Sequence, residues 1–251
     1  MRLTFYRLSG FLLLILIFVL PASSSEVEII VKKIDSLFRS DSSYAQIEMS
    51  ISTPNWARTL KMDAWTRGMD KTFIRILSPA KEKGVATLRI GTEMWNYLPR
   101  TNKVIKIPPS MMMSSWMGSD FTNDDLVKEY TFLDDYTHEL VEVADGQPDF
   151  LYVKFIPKTD RPIVWGEIIA AVRRQDYLPV WEKYYNEKGE LMRVLEFKEI
   201  REFDGRIIPS IMELIPQNKE GHKTVIRYLD INFNPSLSEE IFSLRNLRSQ
   251  G

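Results

Sequence analysis

The sequence of 251 residues sets 33 lysines and arginines against 34 acids, with two histidines and no cysteine. This near balance leaves no electrostatic footprint for nucleic acid. The missing thiols exclude disulfides, thiolate metal sites, a cysteine nucleophile and a lipidated N-terminal cysteine.

The chain opens with Arg2 and Arg7 and no acid, runs through the apolar stretch Phe11 to Leu20, and reaches Pro21-Ala22-Ser23-Ser24-Ser25. A basic region, an apolar region and small residues in that order form a signal peptide, with cleavage expected after Ser24 or within a residue of it. An uncleaved anchor is the competing reading, but the apolar run is shorter than the roughly 20 residues a spanning helix needs. Residues 1–24 are therefore expected to be a leader and residues 25–251 a single domain. Losing Arg2 and Arg7 leaves 31 basic residues against 34 acids, a net charge of −3. An exported chain without cysteine reads as bacterial and periplasmic, held together by its hydrophobic core alone.

In the mature chain, Val27, Ile30, Val31, Ile34, Leu37 and Phe38 recur at helical spacing, which predicts a short amphipathic helix over 27–38. Extended segments follow at Tyr44 to Thr53, Trp56 to Gly68 and Lys71 to Leu77, then at Val85 to Ile90, Met94 to Leu98 and Lys103 to Ile107. The second half is a cleaner meander. Tyr130 to Val143, Phe150 to Pro157, Gly166 to Arg174, Leu178 to Asn186, Glu190 to Glu202, Arg206 to Pro216 and His222 to Phe233 are separated by turns such as Asp145-Gly146, Glu187-Lys188-Gly189 and Asp204-Gly205. Regularly spaced turns between alternating strands predict a mainly β chain, an antiparallel sheet or barrel. In the last strand Val225, Leu229, Ile231 and Phe233 are expected on one face. In Phe150 to Pro157 both faces are apolar, as when each is covered or one lines a greasy cavity.

Between the two halves lies MMMSSWMGSDFTNDDL, residues 111–126, preceded by Pro108 and Pro109. Methionine is a soft, adaptable contact residue, and such a cluster beside a polar turn reads as a lid over something apolar. Thr122 or Asn123 is expected to cap a short helix with Asp124 and Asp125 in its first turn, where acids favour the helix dipole. Asp120, Asp124 and Asp125 lack the alternation and central glycine of a calcium loop. His138 and His222 have no partner at metal spacing, and no G-x-S-x-G elbow or H-E-x-x-H helix occurs. These observations predict a protein that is not an enzyme and carries no metal and no cofactor. The aromatic and methionine content of the first half exceeds what one small core needs, as a cavity for acyl chains would require.

Several segments resemble a known family, the outer-membrane lipoprotein-sorting proteins, or LolA-like periplasmic carriers. Gly91 to Pro99 (GTEMWNYLP) is similar to the family's turn and strand in which a tryptophan and an aromatic alternate before proline, and Phe73 to Pro79 resembles the strand before it. The lid segment Ser115 to Leu126 is closer still and resembles a branch of longer chains, and the likeness runs through Asn232 to Pro235 and Ile241 to Leu244. The resemblance implies an incomplete antiparallel β-barrel, a half-barrel whose open side is covered by helices and whose hollow holds acyl chains. It implies a carrier that takes a lipid or lipoprotein from an inner-membrane exporter toward an outer-membrane acceptor. Under it, Trp65, Met94, Trp95 and Tyr97 would line the hollow. Met111, Met112, Met113, Trp116, Met117 and Phe121 would form the lid, while Ser119, Asp120, Thr122 and Asn123 would latch its end or meet a partner. Arg58, Arg67 and Arg89 are each candidates for an arginine that ties the lid shut. Two other readings stand beside it: a non-carrying accessory of a lipid or RND-type exporter that docks through the same methionine and tryptophan surface, and an esterase or similar hydrolase acting on lipids through a serine or aspartate.

Overall fold

The computed structural model describes residues 23–127, 131–160 and 163–249, so most of the expected leader lies outside the described residues. Helix α1 (Ser23–Ser36) leads into β1 (Ser42–Ser52), β2 (Ala57–Arg67), β3 (Lys71–Ser78), β4 (Ala86–Ile90), β5 (Glu93–Leu98) and β6 (Lys103–Lys106). Two short helices, α2 (Asn123–Val127) and α3 (Phe132–Asp135), precede β7 (Tyr136–Val141), β8 (Phe150–Pro157), β9 (Glu167–Arg173), β10 (Pro179–Tyr185), β11 (Leu191–Phe203), β12 (Arg206–Pro216) and β13 (Lys223–Phe233). A last short helix, α4 (Leu244–Arg248), follows.

The strands form one 13-stranded sheet in the order β6-β5-β4-β3-β2-β1-β13-β12-β11-β10-β9-β8-β7. Every neighbouring pair is antiparallel, and only β1 and β13 pair without being consecutive in sequence. The tight turns are local chemistry: Asp204 and Gly205 both take positive φ between paired Phe203 and Arg206, which is the geometry of a two-residue hairpin whose twist matches its strands. β6 and β7 end the sheet, and no pairing joins them among the described residues. The sheet is an open half-barrel.

Cross-strand partners share a face of an antiparallel sheet, so one inner face can be followed from strand to strand. It passes from Met49 to Ile226 and on to Met212 and Phe197, and from Thr224 to Leu214 and Leu195. On the β8 to β12 side the buried residues of this face include Val153, Phe155, Ile168, Val172 and Leu214, and α1 covers them with Val27, Ile30, Val31 and Ile34. On the β1 to β5 side Met49, Ile51, Leu60, Met62, Ile74 and Met94 form the apolar surface. The reverse face of β2 to β5 is covered too. There Phe73, Leu88 and Tyr97 pack against Phe242 and Leu247 of the C-terminal segment, which Arg67 and Lys71 hold through Glu239 and Arg75 through the Asn246 carbonyl.

Three expectations need correction. The expected helix over 27–38 runs from Ser23 to Ser36, and Leu37 and Phe38 leave it to join a separate cluster with Ala45, Leu178, Phe203, Ile208 and Ile231. The strand expected over 130–143 is α3 followed by β7, while Tyr130 lies outside the described residues. Its helical turn forms because Thr131 caps it and because Asp35 of α1 accepts the N–H groups of Phe132 at 3.0 Å and Leu133 at 2.9 Å. Those are the amides a helix start leaves unsatisfied, and burial nevertheless pushes the Asp35 carboxyl pKa up. The face expected of β13 is also split. Pairing jumps from Gln46 with Asp230 to Ile47 with Tyr228, leaving Leu229 as an extra residue, so Ile226 and Tyr228 face inward before this bulge and Ile231 after it.

Phe155 is fully buried with its ring 4.3 Å from Phe132 and 6.2 Å from Tyr136. Phe155→Ala should cost about 3–5 kcal/mol, read as a lowered urea midpoint.

Candidate functional site

The two free edges of the half-barrel are linked by residues 107–135, the segment that contains the methionine cluster. It begins docked, since Ile107 donates its N–H to the Met94 carbonyl at 2.8 Å. Trp116 and Phe121 then close a tight loop, in which the Trp116 N–H donates to the Phe121 carbonyl at 2.8 Å and the Ser119 N–H to the Trp116 carbonyl at 2.9 Å. Met117 and Gly118 turn the chain with φ of 52° and 72°, and a Cβ at Gly118 would sit 3.1 Å from Arg58 Nη2. Ser119 Oγ donates to the Trp116 carbonyl at 2.7 Å, and Asn123 Nδ2 donates to the Met111 carbonyl at 2.9 Å. Thr122 and Asp125 cap α2 reciprocally: Thr122 Oγ1 accepts the Asp125 N–H at 3.1 Å, and Asp125 Oδ2 accepts the Thr122 N–H at 2.9 Å. Residues 111–125 are thus braced by hydrogen bonds among themselves.

Its inner side fills the trough of β1 to β5. Trp116 is 4% exposed and packs with Met49, Leu60, Met62 and Met94, while Met112, Met117 and Leu126 border the same cluster. The indole N–H, which would be costly to bury unpaired, donates to Thr87 Oγ1 at 3.2 Å, and Thr87 donates onward to Asn96.

Three further polar ties hold the segment to the sheet. Arg58 of β2 donates to the Met117 carbonyl and pairs with Glu82. Thr224 of β13 accepts the Asp120 N–H at 3.0 Å and donates to Asp120 Oδ2 at 2.8 Å, with His222 Nδ1 at 3.7 Å and Lys219 Nζ at 3.8 Å from the same carboxylate. The third tie is buried on both sides. Arg193 of β11 makes two parallel hydrogen bonds of 2.9 Å to Asp125, and both side chains are 8% exposed. The guanidinium packs into a corner made by Trp165 and Tyr184, 4.5 and 4.4 Å from the ring centres, with the two rings edge to face 5.1 Å apart. Burial works against its charge, but Asp125 outweighs burial, and the Arg193 pKa is raised.

A family model described as an uncharacterized protein matches residues 68–249. The chain belongs to that family. Three solved structures share the family member's fold over almost their whole lengths. A DUF1329 family protein from Desulfovibrio piger superposes with a TM-score of 0.76 at 24% identity, covering 88% of this chain and 97% of the other. A proposed outer membrane lipoprotein-sorting protein domain from Vibrio parahaemolyticus gives 0.74 at 22%, covering 90% and 99%. A LolA superfamily protein from Nitrosomonas europaea gives 0.72 at 20%, covering 88% and 98%. No curated protein matches the sequence. The LolA-like resemblance read from the sequence therefore holds for the fold of the family member, down to its open antiparallel sheet.

The structure divides the residues expected to line one hollow. Met94 faces the trough, whereas Trp65, Trp95 and Tyr97 lie on the reverse face under the C-terminal segment. The reason is strand alternation: Met94 and Asn96 point one way, Trp95 and Tyr97 the other. Of the lid residues, Trp116, Met112 and Met117 face the trough, Phe121 borders the α1 cluster, and Met111 and Met113 are exposed. Ser119 and Asn123 brace the lid internally, Thr122 caps α2, and Asp120 reaches the sheet. Among the three candidate arginines, Arg58 touches the lid, Arg67 ties down the C-terminal segment and Arg89 donates to the Met69 carbonyl. Arg193, Asp125 and Thr224 were not singled out as latch residues. A charge at Arg193 in step with inward Leu195 and Phe197 was the available signal.

Removing one member of a buried ion pair strands the other, at a cost of about 3–5 kcal/mol. Asp125→Ala should approach that loss in urea unfolding, and Asp125→Leu combined with Arg193→Met should recover most of it. Additive losses in the double variant would show that the pair is not coupled.

Proposed function

We propose that this protein is a periplasmic carrier that shelters the acyl chains of a lipid or lipid-modified protein in the trough of its half-barrel, on the way from the inner toward the outer membrane. One observation carries the reading. The inner face is apolar across the sheet, yet on the β1 to β5 side it is closed by a self-braced segment whose contacts with it are methionine, tryptophan and four side-chain polar ties. A fixed core needs no such detachable cover. The basic and apolar N-terminus supports export, and the fold supports binding rather than catalysis.

The energetics suit exchange. Each CH₂ removed from water contributes about 0.8 kcal/mol, so a sixteen-carbon chain brings roughly 12 kcal/mol before costs. Cargo entering the trough must displace Trp116, Met112 and Met117, which then become its lining. Flexible methionines can re-pack on chains of different shape. An inner-membrane exporter would load the carrier and an outer-membrane acceptor would unload it.

The outer side of the lid favours a second reading. Met111 is 47% and Met113 51% exposed, and exposed apolar side chains also mark protein contacts. A non-carrying accessory of an exporter would dock through them without opening.

Organic extraction of the purified protein followed by mass spectrometry should recover a bound lipid, and the protein should take up a fluorescent acyl probe. Met112→Ser with Met117→Ser should weaken that uptake about tenfold, in line with the loss of one or two buried side chains. No recovered lipid together with no uptake would overturn the carrier and leave the accessory, for which a stable crosslinked exporter partner is the expected result.

A further inference from the structure

Two of the contacts that hold the lid shut set basic residues on the sheet side against acids of the lid. Arg193 grips Asp125, while Lys219 and His222 face Asp120. Arg193 belongs to the wall of the trough, in the same cross-strand row as Tyr184. Trp165 and Tyr184, whose rings meet edge to face 5.1 Å apart, form an aromatic corner against the guanidinium, and Asp125 occupies the edge that carries its two terminal nitrogens, the edge it would offer to a ligand. Its Nε is buried without a partner among the described residues, which leaves the Asp125 carboxylate to satisfy the group.

Lifting the lid takes Asp125 away. A neutral cargo would leave a buried guanidinium with no acceptor on its open edge, and an unpaired buried charge is heavily penalised. A cargo with its own planar or tetrahedral oxyanion would replace one negative charge by another and restore the fork-like pair of hydrogen bonds, the geometry arginine provides for carboxylate and phosphate. Glu182, which accepts from the Tyr184 hydroxyl, already contributes a buried negative charge nearby. The exchange of Asp125 for a singly charged anion leaves the total unchanged.

We propose that Arg193 is the head-group site of the carrier, binding the phosphate or carboxylate of an anionic acyl lipid in the place that Asp125 holds in the closed state. The lid carboxylate is then an internal competitor that an anionic lipid displaces and a neutral one does not. The proposal rests on the carrier reading and adds the class of cargo to it.

The test is calorimetric titration of the full chain with three probes: dihexanoyl phosphatidic acid, dihexanoyl glycerol with the same acyl chains, and inorganic phosphate. The expected result is roughly tenfold tighter binding of the phosphatidic acid than of the neutral diacylglycerol, with phosphate alone weaker than either, as a charge-assisted bidentate contact would add. Arg193→Gln should bring the ratio of the two lipids close to one, and Arg193→Lys should keep part of it. Asp125→Asn keeps Arg193 in place and removes its competitor, so it should tighten phosphatidic acid binding severalfold even if the Arg193 variants fold poorly. Equal binding of the two lipids by the unaltered protein, or a preference that survives Arg193→Gln, would overturn the head-group site while leaving the carrier intact. Phosphate binding as tight as that of the lipid would overturn it in favour of a free-anion site. Binding of neither lipid would overturn the carrier and the head-group site together.

Discussion

An open antiparallel sheet with an apolar inner face cannot be left uncovered in water, and the rest of this molecule follows from how that face is covered. Closing the barrel would have removed the problem by joining β6 to β7. Instead the two edges stay apart and the chain bridges them with residues 107–135. The cover comes from two directions: α1 over the β8 to β12 side, and the methionine-rich loop with Trp116 over the β1 to β5 side. The two covers differ in kind. Helix α1 inserts four residues at 8% exposure or less into the largest apolar cluster. The loop inserts one buried tryptophan and relies on polar ties at its margins.

Those ties explain why a greasy lid carries so polar a tip. Apolar contacts alone are non-directional, and a loop held only by Met112, Met117 and Trp116 could settle in many positions. The bidentate Arg193 and Asp125 pair and the hydroxyl of Thr224 are directional, and they define one closed position. A buried ion pair adds little net stability against an apolar replacement, so its value here lies in registering the lid, together with Arg58 at the Met117 carbonyl.

Much of the architecture was legible in the sequence, because turn residues and strand alternation are local. The expected strands Phe150 to Pro157 and Arg206 to Pro216 coincide with β8 and β12 residue for residue, and the capped helix with Asp124 and Asp125 in its first turn is α2. Which face an apolar residue serves was not legible where both faces are covered. Met94, Trp95 and Tyr97 look alike as sequence, but the C-terminal segment that buries Trp95 and Tyr97 lies far along the chain. The latch was hidden for the same reason, since Asp125 and Arg193 are 68 residues apart and each has an ordinary local explanation. The bulge at Leu229 likewise belongs to the pairing of β1 with β13 and left no mark within β13 itself.

That pairing has a consequence for how the chain acquires its fold. Strands β1 to β6 and β7 to β13 are two meanders whose contacts lie between sequence neighbours, so each can assemble over short loops. The seam between β1 and β13 joins almost the two ends of the chain, and its loop-closure entropy has to be met before it gains anything. Until it forms, each meander exposes half of the apolar inner face and one unpaired edge, the condition in which β-rich chains aggregate. The Phe38 and Tyr228 rings, stacked at 5.4 Å beside that seam, and Asn234, whose N–H donates to the Ser42 carbonyl, therefore reinforce the contact that carries the largest loop-closure cost.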